Sequence, residues 1–191
     1  MENKIIEKRI VHEWRFVNKI EVDEQTEAWK IKTWEWASRT WTGEAVWVLV
    51  ENKEKWLFVL VEQFRPLVNS RVLELVAWLV DVWDSVEKTV SKEIKEETWY
   101  ITKKIQFLMA WPKSPWFWDE YSSYFYAEVN WEKWEQELEE SEIWLEVIEI
   151  KNTISDLLKL CNDKEGDWVM VSWGIWWVVW RAQAMWIEFN K

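Results

Sequence analysis

The sequence predicts one α+β domain. Short segments of alternating or continuous apolar residues recur from end to end, at strand length rather than helix length. Between them lie a few amphipathic stretches with apolar residues three or four apart. No repeat of fixed period and no linker interrupts the 191 residues, so these elements belong to one body.

Residues 1–42 read as a small N-terminal β extension, and residues 43–191 as the main domain. In the extension, Ile5–Val11, Phe16–Val22 and Trp34–Arg39 alternate as strands do. Glu44–Glu51 is a buried strand, Asn52–Lys55 a polar turn, and Trp56–Arg65 a second strand of a hairpin that Pro66 ends. Arg71–Leu75 is a short strand. Asp84–Thr98 is a helix, with Asp84 as cap and Glu87 completing a capping box. Val86, Val90 and Ile94 form its buried stripe. Ile105–Ala110 and Tyr121–Val129 read as strands on either side of a loop, Trp111–Glu120, that holds two of the three prolines. Trp131–Glu142 is an acidic loop or weak helix, and Ile143–Ile150 a strand. Thr153 caps a helix with Ile154, Leu157, Leu158 and Cys161 on one face. Gly166 and Asp167 then open a final helix that runs to about Met185.

Hydrophobic residues make up 49% of the chain, enough for a sizeable core, and charged residues 31%. The formal net charge of -11 argues against non-specific binding of nucleic acid, which needs a basic footprint. A single cysteine, Cys161, leaves no internal disulfide, as a reducing cytoplasm favours. The opening MENKIIEKR lacks the apolar core of a signal peptide, and no apolar run reaches membrane-spanning length. The expectation is a cytoplasmic protein with no membrane or nucleic-acid partner. One count is abnormal: the chain has 22 Trp and 3 Gly, where average usage gives about 13 Gly.

The helix over Asp84–Thr98 carries Glu93, Glu96 and Glu97. Glu93 and Glu97 are four apart and stack on one face, with Glu96 one step round. Acidic residues on a helix are commonly solvated surface, and Lys92 and Lys95 offer partners. Like charges at Glu93 and Glu97 repel unless a cation lies between them, and both adjoin the apolar stripe. An all-oxygen carboxylate set suits Mg²⁺ or Mn²⁺. Such ions serve phosphoryl chemistry by activating water and neutralising charge. His12 and Cys161 stand alone, so no zinc ligand set is present, and no Gly-rich phosphate loop occurs.

These residues resemble the Nudix box, in which G, five residues, E and seven residues precede R-E-U-x-E-E-x-G-U, U being bulky and apolar. Here the register reads Trp78, Asp84, then Lys92-Glu93-Ile94-Lys95-Glu96-Glu97-Thr98-Trp99-Tyr100. All three box glutamates match. Glu62-Gln63-Phe64-Arg65 and Leu73-Glu74-Leu75-Val76-Ala77 look like the segments before the box in ADP-ribose pyrophosphatases. Ser114-Pro115-Trp116, fifteen residues beyond Tyr100, resembles that subfamily's S-P-G, and Glu120 follows at its spacing. Glu140-Ser141-Glu142 resembles its acidic loop. The match is dense from about Gly43 to Val147. Trp78, Trp83, Trp99 and Trp116 all fall in glycine slots, so we read these Trp as replacements in a glycine-bearing parent, each straining a turn that glycine would relieve. Trp173, Trp176 and Trp177, near Gly174, have no comparable motif.

The resemblance implies a Nudix fold, a mixed sheet between helices, with the N-terminal extension serving a homodimer. It implies hydrolysis of ADP-ribose or a related nucleoside diphosphate sugar to a nucleoside monophosphate and a sugar phosphate. A different Nudix substrate, such as a dinucleotide polyphosphate, and a nucleotide-binding protein with impaired catalysis are the alternatives. The implied ligands of Mg²⁺, or Mn²⁺, are Glu93, Glu96, Glu97 and the Ala77 carbonyl, with Glu142 as a further one. Glu140 or Glu142 would position the attacking water or take its proton. Arg65, Arg39, Glu120 and Pro115 would contact the substrate.

Overall fold

The computed structural model describes residues 4–133, 136, 138, 142 and 144–190. Its framework is one mixed sheet. Strands β1 (Lys4–Glu13), β2 (Val17–Gln25) and β3 (Ile31–Arg39) make an antiparallel meander. The meander meets the main sheet at one parallel pair, Ala37 with Trp118. There the Ala37 N–H donates to the Phe117 carbonyl at 2.9 Å.

In the main sheet, β4 (Glu44–Asn52) lies antiparallel to β5 (Leu57–Arg65) and β7 (Val76–Leu79), and parallel to β9 (Trp118–Lys133). Strand β6 (Ser70–Glu74) extends β5, and β8 (Tyr100–Ser114) forms a long hairpin with β9. Strand β10 (Glu146–Lys151) pairs with β5, and the short β11 (Met170–Val171) with β6.

The period-2 pattern of β4 divides the core between the two faces of the sheet. Val46, Val48 and Val50 face a cluster completed by Val90 and Ile94 of α1 (Val86–Thr98). Leu49 faces the other cluster, with Leu157 of α2 (Ile154–Gly166) and Ile175 and Val178 of α3 (Trp173–Ala184). The expected sheet between helices is present. Among the described residues, no helix is long and apolar enough to cross a membrane.

Several elements differ from expectation. Ser85, not Asp84, caps α1: its side chain accepts from the Lys88 N–H at 3.2 Å, so Lys88 occupies the place that Glu87 would hold in a capping box. Asp84 instead pairs with Lys88. The hairpin of β8 and β9 continues to Ser114 and Trp118, leaving a turn in place of the long expected loop. Gly166 ends α2 rather than opening a helix, and α3 starts at Trp173, capped by Ser172. Leu158 is exposed, off the buried face of α2. The acidic stretch before β10 lies largely outside the described residues.

The tryptophans carry the clearest backbone signal. Among the described residues, six that are not glycine have positive φ, and five are Trp: Trp29, Trp56, Trp99, Trp168 and Trp186, at 58–64°. The sixth is Asn69. This region favours glycine because a Cβ crowds the backbone there. Trp99 caps α1 with φ 58° and donates its N–H to the Lys95 carbonyl at 3.0 Å, as a glycine cap would. Trp78, Trp83 and Trp116 do not share the conformation. Of the box positions read as strained, only Trp99 is.

Candidate active site

Helix α1 packs against β7 and the start of β8, and this docking sets the direction of its glutamates. Val90 and Ile94 are anchored in the core. Glu93 and Glu97 sit beside them, 3% and 0% exposed. Glu96 is turned outward and pairs with Lys92 at 3.5 Å, and Lys92 reaches Glu93 at the same distance. Among the described residues, neither carboxylate oxygen of Glu97 has a hydrogen-bond partner, while its backbone carbonyl accepts from the Gln136 side chain.

A buried carboxylate without donors resists ionisation. Burial pushes Glu97 well above the usual range, and the charges of Glu142, Glu93 and Glu74 push it further. Glu93 is pushed up to about 8, first by burial and then by Glu96 and Glu142, against the pull of Lys92. Glu142 is buried. Glu140 lies outside the described residues. Ala77, implied as a carbonyl ligand, sits in β7 opposite Trp47 of β4. Glu93, Glu97 and Glu142 thus share one electrostatic neighbourhood.

Among the described residues, no group of three His, Cys, Asp or Glu side chains is placed to hold a metal ion. The donor chemistry nevertheless fits a hard cation. Glu97 offers oxygen atoms that no group among the described residues satisfies, and the charges of Glu142, Glu93 and Glu74 disfavour its own.

Arg65 does not stand open at its strand end. It donates to Glu74 through Nε at 2.8 Å, with Nη2 2.6 Å from the same oxygen. Arg39 pairs with Glu120, which is buried, and lies 5.4 Å over the Trp118 ring. Two residues expected to act separately on substrate, Arg39 and Glu120, are therefore partners. Pro115 lies in the β8–β9 turn, closed by a 3.0 Å bond from the Phe117 N–H to the Ser114 carbonyl.

Sequence reasoning missed two neighbours. Glu74 is a buried carboxylate whose affinity for a proton is raised by burial, despite Arg65. It was visible only as one residue of the segment leading to Ala77. Lys113, between the two loop prolines, lies 3.9 Å from Glu120. Its signal was a lone cation in an otherwise aromatic loop.

The arrangement is a buried carboxylate group flanked by two Arg–Glu pairs, at the end of a helix and beside a strand. The chain is 36% identical over 110 residues to an ADP-ribose pyrophosphatase of Bacillus subtilis, covering 56% of this chain and 57% of that protein. It is 34% identical over 83 residues to a Nudix hydrolase of Schizosaccharomyces pombe, 40% of each chain. The chain resembles Nudix hydrolases. A third Nudix relative, from Caenorhabditis elegans, is 33% identical over 63 residues, 33% of this chain and 28% of that one. The matches thus span at most 57% of the length of these relatives. No family model matches the chain. The Nudix fold is shared with the crystal structure of an ADP compounds hydrolase, with a TM-score of 0.67 and 20% identity, covering 83% of this chain and 84% of that one.

Burial of the carboxylates makes stability depend on pH. In the unfolded chain Glu93 titrates near the ordinary 4.5, and in the folded metal-free chain near 8. Between these values the folded state binds more protons, so the stability that Glu93 contributes falls as pH rises and levels off above about 8. Scanning calorimetry of the chain in chelator should show Tm declining from pH 5 to pH 8. Glu93→Gln should flatten that decline.

Proposed function

We propose that the chain is a divalent-metal-dependent hydrolase of ADP-ribose or a related nucleoside diphosphate sugar, releasing a nucleoside monophosphate and a sugar phosphate. The observation that carries this reading is the buried Glu97, whose carboxylate has no hydrogen-bond partner among the described residues, beside Glu93, Glu142 and Glu74. The name of the Bacillus subtilis relative supports the substrate class.

Glu93, Glu96, Glu97 and Glu142, with the Ala77 carbonyl, would hold the cation, Mg²⁺ or Mn²⁺. When bound, such a cation neutralises charge on the diphosphate and makes a nearby water more acidic. Water attacks one phosphorus, the bridging P–O bond breaks, and the bridging oxygen leaves with the other phosphate. A carboxylate of the acidic loop, Glu142 or Glu140, takes the water's proton. Arg65 and Arg39, each oriented by its glutamate partner, bind substrate phosphate or ribose oxygens. Pro115 stiffens the turn that borders Glu120.

A substrate panel tests the reading. ADP-ribose, other nucleoside diphosphate sugars, nucleoside triphosphates and dinucleotide polyphosphates are each incubated with Mg²⁺, and the products separated. Fastest turnover of a nucleoside diphosphate sugar is the expected result. Preference for a triphosphate or a dinucleotide polyphosphate would overturn it.

We further propose a homodimer built on the 1–42 extension. Strand β1 is an edge strand carrying exposed Ile5, Ile6, Ile10 and Val11, a composition that favours a partner over water. Sedimentation equilibrium should give twice the mass of one chain, and a monomer at micromolar concentration would contradict it.

A further inference from the structure

We propose that Gln136 is a positioning residue for the cation site: it holds the segment that carries Glu142 against the end of α1, and so fixes the Glu142 carboxylate beside Glu97. The inference deepens the proposed hydrolysis and rests on it for the role of Glu142. The need arises at the helix end. An α-helix leaves its last four carbonyls without an N–H of its own, and Glu97 is the residue before the last of α1. Glu97 and Thr98 are fully buried, so water does not reach that carbonyl, and a buried carbonyl left without a donor is costly. The Gln136 side-chain amide supplies the donor.

The sequence leaves little choice of donor. From Glu135 to Glu140 the chain reads Glu-Gln-Glu-Leu-Glu-Glu, and Gln136 is the one side chain in that run that carries N–H groups. An ionised glutamate in its place would turn oxygen toward oxygen and repel the Glu97 carbonyl.

Three anchors fix where Glu142 comes to lie. Gln136 binds the backbone of Glu97 itself. Leu138 packs against the core cluster that holds Val90 and Ile94 of α1, and Leu145 is a buried member of the same cluster. The Leu145 N–H donates to the Glu142 carbonyl at 2.7 Å. Glu142 follows Leu138 and precedes Leu145 in the chain, and it is 3% exposed. Carboxylates repel one another, so neutral anchors of this kind must bring Glu142 in before a cation binds. A cation is held more tightly when neighbouring hydrogen bonds place its ligands in advance.

Gln136→Met keeps the length of the side chain and removes its donors. Calorimetric titration with Mn²⁺ and steady-state kinetics on ADP-ribose, each repeated in a Glu142→Gln background, test the role. Gln136→Met should weaken Mn²⁺ binding or lower kcat about tenfold, with KM unchanged. It should do neither once Glu142 is already replaced, because Gln136 acts through Glu142. Unchanged Mn²⁺ affinity and kcat would overturn the proposal. So would a change confined to KM, or a loss that persists in full in the Glu142→Gln background. If Gln136→Met fails to fold by circular dichroism, Leu138→Ala, which removes the neighbouring anchor, decides in the same terms. If the chain binds Mn²⁺ but hydrolyses no nucleoside diphosphate sugar, the proposed reaction falls and the titrations alone decide the role of Gln136. Hydrolysis that depends on Glu142 but not on Gln136 would sink only the positioning role. Neither Mn²⁺ binding nor hydrolysis by the unsubstituted chain would overturn both.

Discussion

Replacing Trp29, Trp56, Trp168 and Trp186 together by glycine should stabilise the chain by roughly 2–4 kcal/mol. Each holds a φ of 60–64°, which costs a residue bearing Cβ about 1–2 kcal/mol. Glycine removes that cost and returns about 0.4–1 kcal/mol through the greater entropy of its unfolded chain. Packing offers little offset, since Trp168 is 90% and Trp186 91% exposed. The four sites lie in separate turns, so their effects should add. Trp99→Gly should gain less, because the Trp99 ring packs against the core cluster beside α1 and its removal forfeits that contact. Trp83→Gly is the contrast. Trp83 is 93% exposed but lacks positive φ, so glycine there should not stabilise. Urea unfolding measures all of these; equal effects at Trp83 and Trp168 would refute the backbone explanation. Against a whole-domain stability of about 5–15 kcal/mol, the combined gain is large.

The second large effect is at Glu97. Glu97→Gln should lower kcat on the order of a hundredfold or more, as loss of one group stabilising transition-state charge does. In chelator the same variant should be at least as stable as the parent chain. It removes a buried charge that burial and Glu142, Glu93 and Glu74 all disfavour. Lost activity with retained or increased stability is the signature of a residue kept for chemistry rather than for folding. A destabilised Glu97→Gln protein would instead point to a structural role. Calorimetry in chelator, beside steady-state kinetics with Mg²⁺, separates the two.

What was legible in the sequence followed from periodicity and spacing. The strands β4 and β5 stand out as apolar runs around a polar turn. The four-residue spacing of Glu93 and Glu97 beside Val90 and Ile94 placed both carboxylates at the buried edge of α1. The misses have physical causes. Strand β7 is four residues long and follows β6 after one residue, so the two read as one run into the helix. Pro112 and Pro115 read as loop, yet β8 tolerates Pro112 at a register shift. Asp84 and Ser85 are both good caps, and only backbone geometry chooses Ser85.

The boundary between α2 and α3 was hidden by tryptophan. Trp168 stands between them at a positive-φ turn where glycine would have marked a break. The ion pairs were not legible either. Arg39 with Glu120, and Arg65 with Glu74, are joined by strand pairing across 81 and 9 residues, which no local motif encodes.

On the proposed function, the Glu97 carboxylate belongs to a site that splits the diphosphate of ADP-ribose. The most direct measurement is product analysis by phosphorus NMR of ADP-ribose incubated with Mg²⁺ and the chain, beside the variant with glycine at the five positive-φ Trp positions and its Glu97→Gln derivative. AMP and ribose 5-phosphate are expected in equal amounts from the folded glycine-bearing protein, and almost none from the Glu97→Gln form. Absence of AMP from the folded glycine-bearing protein, or equal release by the Glu97→Gln form, would contradict it.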